Sequence, residues 1–117
     1  MNDALLEELT LAYQSQALVP IRRCFFLHEE GVDYACPVVC LAIHRGVTEK
    51  NDPDLANDEA SNIALEWASK TFGEDFIWGL LSAWEGQEKI KDDPDYLRGY
   101  ELGIEAAQQL SPRDPVA

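Results

Sequence analysis

The stretch DFIWGLLSAWEGQEKIKDDPDYLRGYELG, residues 75–103, contains two copies of one pattern. DFIWGL and DYLRGY share the order acid, aromatic, aliphatic, any residue, glycine, large apolar residue. Four positions after each glycine comes another small residue, Ala83 after Gly79 and Gly103 after Gly99. A single repeated pair does not indicate a solenoid. The pattern instead predicts two related helices that pack on each other.

Glycine inside a helix costs about 1 kcal/mol relative to alanine, so these glycines need a reason. Small residues four apart form a flat strip that another helix backbone can approach closely. We therefore expect an antiparallel helical hairpin, in which the strip of Gly79 and Ala83 faces that of Gly99 and Gly103. The Asp-Pro pair at 93–94 is a typical start for the second helix. The alternative is that the glycines leave a groove for a ligand or for a partner's side chain.

Upstream of this hairpin, the spacing of apolar residues predicts helices over about 4–17 and 37–45. A further apolar stripe runs from residue 60 to 72, and Gly73 should end that helix. The segment 20–30 is ambiguous. A proline at its start and a glycine after its end favour a helix, whereas its apolar run CFFL suits a short strand.

These segments predict an all-α fold. We expect a single domain over residues 1–110, with about five or six short helices closed by the C-terminal hairpin. The segment 111–117, SPRDPVA, contains two prolines in seven residues and is expected to be a flexible tail.

The net charge of −13 over 117 residues is the strongest compositional feature, and residues 51–117 carry −10 of it, with fifteen acids against five bases. A polyanion cannot release counterions from nucleic acid or from an anionic membrane, so both are disfavoured as direct partners. A basic protein partner is favoured instead. The N-terminus has no pattern typical of a secretory signal, and the longest apolar run is too short to span a membrane. Three cysteines without an export signal indicate reduced thiols, and hence a cytoplasmic protein.

The segment CPVVCLAIH, residues 36–44, places two cysteines and a histidine at intervals of four. Helix geometry separates its first and last residues by about 12 Å, which is too far for both to bind one metal. The favoured interpretation is a buried core helix, because free cysteine behaves as a small apolar residue. The alternative is a zinc or small-ligand site that combines two pairs from adjacent helices. Its ligands would be Cys24, His28, Cys36, Cys40 and His44.

No segment indicates an enzyme. The acidic clusters lie beside prolines and turn residues, where carboxylates act as solvated helix caps. The sequence also lacks a phosphate-binding glycine loop, a nucleophile elbow and a zinc-protease helix. We therefore predict no catalytic residues and no cofactor, with zinc as the alternative stated above.

The functional expectation is a non-catalytic, acidic module that binds another protein. It could be an inhibitor or immunity protein that blocks a basic surface, in one version by mimicking nucleic acid. The contact surface is expected on the acidic, aromatic hairpin between residues 85 and 105, with Trp84 and Tyr100 as the aromatic anchors. The predicted contact residues are Trp84, Glu85, Glu88, Asp92 and Tyr100.

Overall fold

The structure is a computed structural model that describes residues 2–50 and 58–114. Within them the chain forms five helices and a three-stranded mixed sheet, so the all-α prediction is wrong. None of the helices in these two ranges is both long and apolar enough to cross a membrane. The elements in chain order are α1 (Asn2–Ser15), β1 (Leu18–Pro20), β2 (Phe26–Glu29), β3 (Val32–Ala35), α2 (Pro37–His44), α3 (Asp58–Phe72), α4 (Glu74–Trp84) and α5 (Pro94–Leu110).

The ambiguous segment 20–30 contains strand rather than helix. β2 pairs antiparallel with β3, and β1 pairs parallel with the other edge of β3. The two-residue turn between β2 and β3 is Glu30–Gly31, and both residues have positive φ, 52° and 77°. Such turns match the twist of paired strands. Gly31, which the sequence predicted as the end of a helix, therefore closes the β2–β3 hairpin. Pro20 is tolerated because β1 lies at the edge of the sheet.

The chain returns to this sheet near its C-terminus. The backbone N–H of Arg113 donates to the carbonyl of Pro20 at 3.0 Å, and the N–H of Arg22 donates to the carbonyl of Arg113 at 2.8 Å. Of the segment 111–117 predicted to be flexible, residues 111–114 are described and are tethered by this pair of bonds. The remaining residues, 115–117, lie outside the described part of the chain.

Helix α2 forms the centre of the core. Its N-terminal proline occupies the first helical turn, and Gly46, with φ of 76°, follows its C-terminal end. The prediction of a short central helix is thus confirmed. The residues of this helix that are buried against α1, α3 and the sheet are Pro37, Val38, Val39, Cys40, Leu41 and Ala42.

Helices α4 and α5 pack with the two glycine strips against each other, but they run in the same direction, so the prediction of an antiparallel hairpin is wrong. The linker of residues 85–93 leads the chain back along α4, and Lys91 near its end bonds to Asp75 at the start of α4. A Cβ added at Gly79 would overlap the carbonyl oxygen of Tyr96, and one added at Gly99 would overlap that of Phe76. At Gly103 the added Cβ would lie 2.7 Å from the Cβ of Ala83. The glycines therefore serve helix packing and not an open groove.

The start of α5 also agrees with the sequence. The carboxylate of Asp93 accepts hydrogen bonds from the backbone N–H groups of Asp95 at 2.9 Å and Tyr96 at 3.2 Å. Pro94 lies in the first helical turn, where its missing N–H costs nothing. This cap fixes where the linker between the two helices, residues 85–93, ends and α5 begins.

Candidate functional site

The three cysteines are free thiols at different depths. Cys36 and Cys40 are buried in the core, and Cys24 is half-buried. Desolvation raises the pKa of Cys36 to about 12 and also raises that of Cys40 above its ordinary value. Both buried thiols are therefore protonated at neutral pH, which disfavours either as a nucleophile.

The two histidines lie apart from each other. His28 is exposed on β2, with Nδ1 at 2.5 Å from a carboxylate oxygen of Asp33, which also pairs with Lys50 at 3.2 Å. His44 ends α2, with Nε2 at 3.9 Å from Glu8. In residues 2–50 and 58–114, no group of three or more potential ligands is placed to hold a metal.

The strand at 26–29 explains why the predicted ligand pairs do not assemble. The pairing of Cys24 with His28 assumed a helix, in which residues four apart are neighbours. In extended chain, four residues span about 13 Å, which sends the two side chains to different places. The structure buries Cys36 and Cys40 in the core, half-buries Cys24 and leaves His28 on the surface. The zinc alternative is left without a preformed ligand set in the described residues.

A shallow groove of about 420 Å³ lies between α1 and α5. It contains none of the cysteines and neither histidine, and it provides two carbon-rich side chains among polar ones. The small-ligand alternative based on cysteine and histidine therefore gains nothing from it. Its lining residues are Leu6, Glu7, Thr10, Leu11, Gln14 and Gln109.

The structure corrects the choice of aromatic anchor. Trp84 is 0% exposed, and its indole Nε1–H donates to the carbonyl of Ile21 at 2.8 Å. Its ring stacks on Tyr13, with centroids 6.3 Å apart. Trp84 therefore belongs to the core and cannot contact a partner in this conformation. Tyr100 is half-buried, and its hydroxyl donates to the carbonyl of Gln87 at 2.6 Å.

The predicted acidic contact residues lie at the surface, in or next to the linker. Glu88 and Asp92 are exposed, and Asp92 has only a long contact of 3.9 Å with Lys89. The carboxylate of Glu85 accepts the backbone N–H of Arg23 at 2.7 and 2.9 Å, so it also ties the linker to the segment after β1. Glu88 and Asp92 are the two that remain available to a partner.

Trp78 is the aromatic residue that sequence reasoning missed. It is 48% exposed on α4 and contacts the buried Tyr96 edge to face, with centroids 6.0 Å apart. The signal was present in the spacing. Phe76, Leu80 and Trp84 follow one another at intervals of four and share a helix face, and Trp78 falls outside that stripe.

Most of the cations in the described residues are already paired with acids. Each pair has a nitrogen and an oxygen within 4.0 Å: Arg45–Glu8, Lys50–Asp33, Lys70–Glu66, Lys89–Asp92, Lys91–Asp75 and Arg98–Asp95. The same range contains no such partner for Glu88, Glu101 or Glu105 of the linker and α5. Bases in the described residues therefore neutralise only part of the negative charge of α4, α5 and their linker.

No protein-family model matches the chain, and no curated protein or solved structure is significantly similar to it.

Proposed function

We propose that the protein is a non-catalytic module that binds a basic protein through the surface formed by α4, α5 and the linker between them. Trp78 is the apolar anchor of this surface, and the exposed Glu88, Asp92 and Glu101 of the linker and α5 supply its negative charge. The observation that carries the proposal is the half-exposed indole of Trp78 on a helix pair whose exposed Glu88 and Glu101 have no basic partner within the described residues. Exposed tryptophan is the residue type most enriched among binding hot spots.

The charge of the molecule favours a basic partner of this kind. A net charge of −13 steers a cationic protein towards the surface and repels nucleic acid and other acidic proteins. The inhibitor or immunity version of the proposal follows from the same charge, since an acidic surface can cover a basic functional site on another protein. The three free thiols fit a role in a reducing compartment such as the cytoplasm.

The proposal is tested by affinity capture from an extract of the cells that express the protein. The native protein and Trp78→Ala are immobilised, and retained proteins are identified after washing with 50 mM or 300 mM NaCl. We expect a basic protein to be retained by the native chain at low salt and lost at high salt, because exposed charges are screened. The purified candidate must then bind the native protein directly.

The matched control is Ile63→Ala, which shortens another exposed apolar residue on α3, 54% exposed. This variant should retain the same partner as the native protein. Trp78→Ala should retain much less of it. Retention of no basic protein, or equal retention by Trp78→Ala and Ile63→Ala, contradicts the proposal.

A further inference from the structure

The linker between α4 and α5 places Lys91 in a corner made by two aromatic rings and a carboxylate. Its ammonium nitrogen lies 4.7 Å from the centre of the Trp78 ring and 5.7 Å from that of Tyr96. It also donates a hydrogen bond of 2.8 Å to Asp75. The two rings meet at 86°, so the cation contacts two walls at once. We call Asp75, Trp78 and Tyr96 the ammonium site.

We propose that the ammonium site binds a lysine side chain of the basic partner, and that Lys91 occupies it until the partner displaces it. This inference rests on the proposed function for the existence of such a partner. The aromatic faces attract a cation through their quadrupoles, and the carboxylate supplies the counter-charge. The protein's own lysine thus shows which chemical group the site accepts.

The surroundings of Lys91 allow it to leave. Its side chain is 33% exposed and that of Asp75 is 41% exposed, so solvent reaches the pair. The linker around it is irregular from residue 87 to 93, and the neighbouring Ile90 is 61% exposed. Exposed ion pairs of this kind add little to stability. Rotation of one long side chain would empty the site without moving a helix.

Arg45 also lies over two aromatic rings, but its contacts hold helices together and so serve the fold. The guanidinium of Arg45 lies 5.9 Å from the ring of Trp67 and 5.1 Å from that of Phe72. Two of its nitrogens donate to the two oxygens of Glu8, both at 2.8 Å. That side chain joins α1, α3 and the C-terminal end of α2, and a paired fork of this kind specifies arginine.

The ammonium site differs from the site of Arg45 in the number of hydrogen bonds to the cation and in the parts of the chain that these bonds connect. Lys91 makes a single hydrogen bond to Asp75, which suits the compact ammonium of lysine. That bond raises the pKa of Lys91, so the occupant is charged at neutral pH. It holds the linker against the surface of α4 and α5, whose own packing depends on the glycine strips. The site is therefore suited to exchange one lysine for another.

The test uses the peptide acetyl-Gly-Gly-Lys-Gly-Gly-amide, and the same peptide with norleucine in place of lysine. Each is titrated into the full-length native protein, Lys91→Gln, Lys91→Met and Lys89→Gln, and the indole N–H signal of Trp78 is followed by NMR. Trp78→Leu identifies that signal. We expect both Lys91 variants to bind the lysine peptide at least fivefold more tightly than the native protein does. The norleucine peptide should shift nothing.

Lys89→Gln is the matched control, because it removes the same charge two residues away in the same linker. It should behave like the native protein. Equal binding by Lys91→Gln and Lys89→Gln overturns the inference, as does equal binding of the norleucine peptide. If the Lys91 variants bind the peptide and no basic protein is captured, the ammonium site stands and the proposed function fails. If a partner is captured through Trp78 and the Lys91 variants gain nothing, the reverse holds.

Discussion

At the scale of single residues, the packing of α4 on α5 depends on glycines whose α-carbons leave no room for a Cβ. The α-carbons of Gly79 and Gly99 each lie against a carbonyl of the facing helix. Contact this close lets α4 and α5 bury Phe76, Leu80 and Leu102 between them and the core. The helix that carries Trp78 and the helix that carries Tyr96 are held in register by this contact.

Replacement of Gly99 by alanine should destabilise the protein, although alanine is the better helix former. At an exposed helical site the change would stabilise by about 0.5–1 kcal/mol. Here the new methyl group overlaps the carbonyl of Phe76, and overpacking of this kind costs about 1–3 kcal/mol. Urea unfolding of Gly99→Ala measures the sign. Glu101→Ala, on the exposed face of α5, is the control and should change stability little; a stabilised Gly99→Ala would show that the helices are not in contact there.

The buried thiols give stability a dependence on alkaline pH. Burial raises the pKa of Cys36 from 9.0 to about 12 and also raises that of Cys40, so the folded protein keeps protons that the unfolded chain loses above about pH 9. The stabilising effect is complete below pH 9 and is lost as the pH rises towards the folded-state pKa. Each thiol should lower the free energy of unfolding by about 1.4 kcal/mol per pH unit in this window.

Urea unfolding of the native protein and of Cys40→Ala between pH 8 and 10.5, under reducing conditions, measures this slope. The variant should show a shallower decline than the native protein. Val39→Ala removes a neighbouring buried side chain that does not titrate, so it should lower stability at every pH and keep the native slope. Identical slopes for all three proteins would show that the thiols are not buried as protonated groups.

At the scale of secondary structure, the sheet is the feature that sequence reasoning did not find. The long helices were predictable because their apolar stripes repeat over several turns. The strands are only three or four residues long, and each gains its definition from a partner elsewhere in the chain. The pairing of β1 with β3 brings together residues 18–20 and 33–35, which no local pattern connects.

A substitution in the turn between β2 and β3 tests whether these two strands form a β-hairpin. Glu30 has φ of 52°, a conformation that asparagine tolerates better than glutamate does. Glu30→Asn should therefore stabilise the protein on the order of 0.5–1 kcal/mol in urea unfolding. Glu29→Asn removes the same charge from within β2, where asparagine is unfavourable, and should not stabilise. Equal effects of the two substitutions on the free energy of unfolding would contradict the positive φ of Glu30 in this turn.

The sequence predicted which part of the chain forms the candidate site, but it did not predict the aromatic residue that anchors it. Charge predicted the acidic linker, and the repeated glycine pattern predicted two helices in contact. It did not predict that they run parallel, because small residues allow close approach in either direction. Trp84 was chosen because it adjoins the acids, and the helix rotates it into the core while Trp78 faces out. The position of Lys91 over two rings could not be predicted, since the path of an irregular linker depends on tertiary contacts such as that of Gln87 with Tyr100.

At the scale of the whole molecule, the excess of acids acts on stability as well as on binding. A net charge of −13 repels itself in the folded state, and salt screens that repulsion. Raising NaCl from 20 to 300 mM should increase the melting temperature by about 4 °C or more, corresponding to roughly 1 kcal/mol. Near the isoelectric point of about 4.3 the increase should vanish. A melting temperature that does not change with salt at pH 7 would contradict this balance.

The measurement that tests the account most directly is a calorimetric titration of the captured basic protein with native protein, Trp78→Ala and Ile63→Ala at two salt concentrations. We predict that Trp78→Ala binds at least tenfold more weakly, as expected for a hot-spot tryptophan, and that Ile63→Ala binds like the native protein. The native affinity should fall as NaCl rises from 50 to 300 mM. Equal affinities for the native protein and Trp78→Ala, or an affinity that salt does not change, would contradict binding through the acidic surface of α4, α5 and their linker.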